Sequence, residues 1–416
     1  MTAPVLIVAA TSARMLAESA RRGGFRPIAL DVFGDIDTRR AAHWIGIGNR
    51  ARSAIDPQRV HAVLERLARQ PRLVGWVAGG GFEDRLDLLQ DCARTSTLIG
   101  NEPAIVATAK QPTDFFRILD RHGIAHPDTS FTRPASPAGW LAKRVGGTGG
   151  WHVRRLPEDE QGGSESGQAD HRRADREQPD SRQAKAAAVD RHAPRRTRGS
   201  RAVYFQREEA GQPMSALFLA NGVDAVIVGC NLLLTGCVGE RSFVFQGAVG
   251  PVVLPASAAR AVRHAVACVA RHLELRGLNS LDFLLEGERV SVIEVNPRPS
   301  ATMELHDHRL PGGLVNAHLS ACSQRVLPLE LPVTDAPVRG IQVIYARQRV
   351  ILSRRNCQRL QSLGWCHDIG REGTRSGLGD PLCTISCEAE STAAAIAELA
   401  RRASEVESIH EDQNER

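Results

Sequence analysis

Residues 277–299, GLNSLDFLLEGERVSVIEVNPRP, set two carboxylates and an amide into two otherwise apolar runs, which narrows the choice of fold more than any other stretch. The turn residues Glu286 to Glu288 predict two antiparallel strands. Alternation puts Glu294 and Asn296 on one face, with Ile293 and Val295 on the other, and Asp282 on the neighbouring strand can oppose them. A carboxylate inside VSVIEV is costly to bury without a partner, so a merely solvated edge hairpin is the weaker reading. The stronger is a set of hard oxygen ligands for magnesium, which takes octahedral oxygen donors and commonly completes one or two carboxylates with nucleotide phosphates. With Glu294 as a bridge, Asp282, Glu294 and Asn296 suffice for two ions.

Two further pieces carry positive charge. In GWLAKRVGGTGGWHV, Lys143 ends a predicted strand and Gly146, Gly147, Gly149 and Gly150 follow. Such a loop leaves backbone N–H groups free to curl over phosphate oxygens, although a glycine-rich hairpin alone also suits a flexible turn. Lys110 precedes a predicted helix over 113–121, where an isolated lysine is ordinarily solvated.

The N-terminal run PVLIVAA, a helical pattern after Ser12 ending at Gly23 and Gly24, a second run from Arg26 leading to Asp31, and a third over Leu73–Ala78 predict a parallel sheet covered by helices. The first turn, AATSARMLA, lacks the GxGxxG that lets a dinucleotide pyrophosphate approach the backbone, so NAD and FAD are not expected. Residues 155–201 are dominated by charged, small and polar types, and no aromatic occurs between Trp151 and Tyr204. They predict a disordered insertion. Further on, strands meet at an Asn221–Gly222 turn, a helix is predicted over 256–275, and a last one near 391–403.

The formal charge of +6 comes from 53 basic and 47 acidic side chains, a mixed surface that phosphates explain as well as nucleic acid would. Nine scattered cysteines have no paired CxxC spacing and suit reduced thiols. No apolar run approaches a membrane span, so a cytoplasmic protein is expected. His306, Asp307 and His308 suit a helix face better than a metal site.

Taken in order, Lys110 with GIAHPDTSF, Lys143 before the glycine loop, YFQREEAG, and Asp282 with EVNPRP resemble the ATP-grasp superfamily over about residues 1–390. FEDR at Phe82–Arg85 and IGNEP at Ile99–Pro103 look like its preceding domain, and WCHDIGREGTRSGLGDPLCTISC like the β-rich piece of its carboxylase-like members. The whole chain also resembles ATP-grasp proteins of the carboxylase-like, carboxylate–amine ligase branch associated with methanopterin or methanofuran cofactor synthesis in methylotrophic bacteria.

The resemblance implies an α/β fold, α+β in the grasp. A Rossmann-like pre-ATP-grasp domain (1–105) would precede a two-subdomain ATP-grasp (106–325), a C-terminal β-rich subdomain (326–405) and a tail (406–416). It implies that Lys110, Lys143 and the loop glycines Gly146, Gly147 and Gly149 bind ATP phosphates, and that Gln206 and Arg207 face the adenine. Asp282, Glu294 and Asn296 would carry two Mg²⁺ ions, or Mn²⁺ in their place. Arg298 would meet the substrate carboxylate or the reacting phosphate, with Lys143 as the other catalytic group. Many members place an acid for the ribose where this chain has Gln212, Pro213 and Met214, and Glu208 or Glu209 would have to substitute. The implied partners are a small-molecule carboxylate and an amine. Bicarbonate activation and non-catalytic nucleotide binding are the alternatives. Neither membrane nor nucleic acid is expected, and a homodimer is left open.

Overall fold

The computed structural model describes residues 3–50, 53–157, 202–328 and 337–411. The chain begins with β1 (Val5–Ala9), α1 (Arg14–Arg22), β2 (Arg26–Asp31), α2 (Ile36–Ala41) and β3 (His43–Gly46), then a ribbon of β4 (Gly48–Asn49) and β5 (Ala54–Ile55), α3 (Pro57–Leu67), β6 (Leu73–Ala78) and α4 (Leu86–Thr95). Strands β3-β2-β1-β6 pair in parallel. Every residue of VLIVA in β1 is buried, as expected for a strand covered on both faces. On β6, Val77 faces α1 while Trp76 packs with Phe82 and Leu89 on the other side, so each face has its own core.

Helices α5 (Pro103–Lys110) and α6 (Pro112–Arg121) each start on a proline, which suits the first helical position because its missing N–H has no intrahelical partner there. A four-stranded sheet follows, ordered β7-β10-β8-β9, from β7 (Thr129–Ser130), β8 (Trp140–Arg144), β9 (Val153–Arg155) and β10 (Val203–Arg207). The disordered insertion expected from residue 155 starts too early: Arg155 pairs with Leu141 as the last residue of β9. The rest of that expectation, residues 158–201, lies outside the described residues.

The largest sheet holds β11 (Gln212–Asn221), β12 (Ala225–Val238), β13 (Arg241–Gly250), β14 (Arg276–Glu286) and β15 (Arg289–Asn296), with α7 (Ala256–His272) on one face and α8 (Gly313–Ser323) on the other. Helix α7 stops short of the expected Leu275 because Glu274 turns to φ +52. Strand β11 alternates Ala216 and Phe218 toward α7 with Leu217 and Leu219 toward α8, so both faces are apolar. Truncating Phe218 to Ala should cost about 3–5 kcal/mol.

Three of the C-terminal strands join the large sheet. β16 (Val338–Tyr345) pairs with β13, and β20 (Pro381–Ala389) and β18 (Cys366–His367) extend the order to β15-β14-β11-β12-β13-β16-β20-β18. Between them lie the β17 (Val350–Ile351) and β19 (Arg375–Ser376) ribbon and α9 (Arg354–Ser362). The final helix, α10 (Thr392–Glu411), runs beyond the expected Ala403 because buried Val406 and Ile409 continue its apolar face. No helix among the described residues is long and apolar enough to cross a membrane.

Candidate active site

A cleft of about 1280 Å³ lies between the glycine-loop sheet, the large sheet and the carboxyl ends of β1 and β6. One wall is the predicted hairpin. Asp282 on β14 pairs directly with Glu294 on β15, and Ser280 with Asn296, with a register shift just after Asp282. All three predicted oxygen ligands line the cleft. The amide of Asn296 donates through Nδ2 to Asp282 Oδ2 at 2.9 Å, while its Oδ1 accepts from Lys110 Nζ at 2.8 Å. Lys110 Nζ also reaches Glu294 Oε2 at 3.2 Å.

Lys110 is thus buried behind the hairpin rather than set in the cleft wall, and the side chains it touches are the expected metal ligands. Burial would raise Glu294, but Lys110, His152 and Lys143 outweigh it and hold the carboxyl down to about 2. Asp282 goes the other way: burial and the charge of Glu294 push it up to about 7. The donor set of two carboxylates and an amide oxygen suits a hard ion. Among the described residues no group of three or more His, Cys, Asp or Glu side chains could hold a metal, so an ion here would also need the oxygens of a phosphate.

Lys143 ends on the opposite wall. It is buried, its Nζ donates to Gln206 Oε1 at 2.5 Å, and burial pulls its ammonium down to about 8. Gln206 also reaches Thr129 Oγ1 at 3.4 Å. Arg207, one residue on, projects to the other face of β10, where its guanidinium meets the carbonyl of Ala138 and the ring of Trp140. Arg207 still borders the cleft along with Gln206, Glu208 and Glu209, so both hinge residues of the expected adenine side lie at it.

Gly147, Gly149 and Gly150 line the cleft, and Gly146 instead packs at φ +73 against Asp84. A Cβ on Gly147 would overlap the ring of His152, and one on Gly150 the carbonyl oxygen of Phe243. The loop is tied down where Phe245 N donates to the carbonyl of Gly149 at 3.0 Å. His152, a cleft residue left unassigned in the sequence, is held down to about 4, mainly by burial.

Arg298 lines the cleft and is bound through Nε to Glu83, with Nη1 on the carbonyl of Pro299 at 3.1 Å. Glu83 is buried, and Arg298 and Lys110 keep it below the usual carboxylate range although burial opposes them. At the far end Arg14, 3% exposed, meets Glu18, Asp37, Glu304 and Asp368. Sequence spacing could not reveal that group, since its members lie up to 354 residues apart. His306, Asp307 and His308 do not gather. His306 is buried against Asn231, Asp307 binds Ser19 and Arg22, and His308 is exposed.

A family model described as the ATP-grasp domain matches residues 181–302, a span that includes the whole β14–β15 hairpin. Those residues carry an ATP-grasp domain. Solved structures with the same fold include N5-carboxyaminoimidazole ribonucleotide synthetase from Thermotoga maritima, 11% identical, with a TM-score of 0.60 and 97% of this chain and 98% of that one covered. The L-amino acid ligase from Bacillus licheniformis is 13% identical, with a TM-score of 0.62 over 97% and 98% of the two chains. The biotin carboxylase domain of the Hydrogenobacter thermophilus 2-oxoglutarate carboxylase, solved with MgADP, ADP and bicarbonate, is 10% identical, with a TM-score of 0.66 over 94% and 88%. No curated protein matches the chain in sequence. The ATP-grasp fold accounts for the cleft's position between a glycine-loop sheet and an acidic hairpin.

Proposed function

We propose that this ATP-grasp protein is an ADP-forming ligase that activates a substrate carboxylate as an acyl phosphate for attack by an amine. The observation that carries this is the facing of Lys143 and the glycine loop, across one cleft, by Asp282, Glu294 and Asn296 with Lys110 behind them. The loop amides and Lys143 would hold the phosphates of ATP. Asp282, Glu294 and Asn296 would hold magnesium, which when bound neutralises charge on the β- and γ-phosphates.

Arg298 orients the substrate carboxylate. A carboxylate oxygen attacks the γ-phosphorus, the bond to the bridging oxygen breaks, and ADP leaves with that electron pair. The amine then attacks the acyl carbon, phosphate departs, and the amine gives up a proton. The mixed anhydride would have to be kept from water within the cleft, since water would hydrolyse it. Lys110 keeps Glu294 ionised and Asn296 oriented from behind, and its expected contact with ATP phosphates would need it to leave them.

We take residues 1–105, 106–325 and 326–405 as the three functional pieces, and a cytoplasmic homodimer acting on small molecules, in cofactor biosynthesis, as the setting. A second reading, with bicarbonate as the carboxylate, is supported by the likeness to a biotin carboxylase domain solved with MgADP and bicarbonate. Screening ADP release across carboxylate and amine pairs, with labelled bicarbonate in parallel, tests both. Release that depends on both an organic carboxylate and an amine supports the ligase. Fixation of label supports the second reading, and ADP release that no carboxylate stimulates contradicts both.

A further inference from the structure

Glu83 sits in the turn that follows β6, beside the point where the parallel sheet reverses its strand order between β1 and β6. Crevices at the carboxyl ends of strands at such a reversal are where open α/β sheets place ligands. The turn is tightly specified. Gly81 adopts φ +107, and a Cβ there would overlap the hydroxyl of Thr11. The backbone N–H of Gly81 donates to Glu83 Oε2 at 2.9 Å, which fixes the carboxylate by one oxygen. The other oxygen, Oε1, accepts from Nε of Arg298. Arg298 in turn donates its own backbone N–H to the carbonyl of Asn296 at 2.9 Å, and its guanidinium lies alongside Gly80.

Glu83 is only 3% exposed and Arg298 borders the cleft, so this ion pair is shielded from water on the Glu83 side and open on the other. Nε is taken by Glu83 and Nη1 by the carbonyl of Pro299, which leaves the outer N–H groups as the edge a ligand can reach. A planar guanidinium binds a carboxylate well only when its fork is aimed; the charged bond at Nε holds its position, and with the Nη1 bond to Pro299 it sets the plane of that fork.

We propose that Glu83 is a positioning residue for Arg298, aiming the guanidinium's outer edge at the substrate carboxylate from the turn after β6. The proposal rests on Arg298 being the carboxylate-binding group, and the test separates the two. In full-length protein with MgADP, labelling of Arg298 by phenylglyoxal is followed by mass spectrometry while formate, the smallest carboxylate, is titrated as the protecting probe.

In the wild type, formate should protect Arg298. In Glu83→Gln, which keeps the shape but removes the charge, unprotected labelling should quicken and half-protection should need about tenfold more formate, with MgADP affinity unchanged. Glu83→Asp, which keeps the charge but withdraws it by one methylene, should shift protection in the same direction and also serves if Glu83→Gln folds poorly. Equal protection in the wild type and both variants overturns the positioning role and leaves Arg298 as the carboxylate group. Absence of protection in the wild type overturns both.

Discussion

Asp282 and Glu294 face each other across β14 and β15, yet their environments push them apart: Asp282 rises to about 7 while Glu294 is held down to about 2. The difference follows from placement. Glu294 lies within reach of Lys110 Nζ at 3.2 Å, whereas burial and the charge of Glu294 outweigh what Asp282 receives from Ser215, the Asn296 amide and the more distant Lys110 and Arg298. Glu294 is therefore the better-compensated anion of the pair, and Asp282 would be the weaker of the two proposed ligands. Asp282→Asn should weaken magnesium-dependent ATP binding and slow ADP formation less than the loss of charge at Glu294 does. Titrating magnesium against ADP formation in both variants checks the order.

Lys143→Ala should lower MgATP affinity by about tenfold or more, because it removes a positive charge from the phosphate wall without touching an apolar core. Gln206, which now accepts from Lys143, keeps Thr129 as a partner, so the fold should survive. Nucleotide titration by calorimetry, with circular dichroism as the check on folding, decides it. Unchanged affinity would mean that the lysine serves only the sheet.

Arg14 holds the junction between α1 and the C-terminal strands, where one guanidinium serves Glu18, Asp37, Glu304 and Asp368. Removing it leaves several partly buried carboxylates with no cation. Arg14→Met should cost about 3–5 kcal/mol of stability, despite adding apolar bulk. A melting temperature within a degree or two of the wild type would contradict that assignment.

Asp35 gives a stability effect with a definite sign. Burial, opposed by Arg50, raises its carboxyl to about 8, above the ordinary carboxylate value. The folded state therefore binds this proton more tightly than the unfolded chain does. Its contribution is fully present below the unfolded pKa and is lost as pH rises, the loss being complete above about 8. Asp35→Asn removes that loss, so the variant should gain on the wild type between pH 5 and pH 9 in thermal melts. A constant difference between the two proteins across that range would contradict the placement.

Much of this arrangement was legible in the sequence because it depends on short-range pattern. Alternation from Glu294 to Asn296 puts both in the cleft and Val295 in the core, but Ile293, expected opposite them, is skipped by the strand register and lines the cleft too; the glycines after Lys143 mark the loop. Lys110 was legible as a charge but not as a neighbour of Glu294, since 184 residues separate the two and only sheet stacking joins them. The same holds for Glu83, whose motif was noticed but whose contact with Arg298 crosses 215 residues. The hinge motif marks Gln206 and Arg207 together, and both border the cleft, but it does not show that Gln206 accepts from Lys143 while Arg207 meets Ala138 and Trp140. The β-rich character of the C-terminal piece was legible in its sequence, whereas the edge pairing of β16 with β13 was not, since no local pattern says which strand a new edge will meet.

The central claim is that Glu294 gathers the metal ions against the phosphates, and the most direct test is ADP formation by Glu294→Gln under saturating magnesium and ATP, with the carboxylate and amine pair that best stimulates the wild type. The substitution keeps shape and hydrogen bonding and removes the one charge that would bridge two ions. Turnover should fall by several orders of magnitude, with MgATP affinity falling less and the melting curve nearly unchanged. Near wild-type ADP formation by the folded variant would contradict the account.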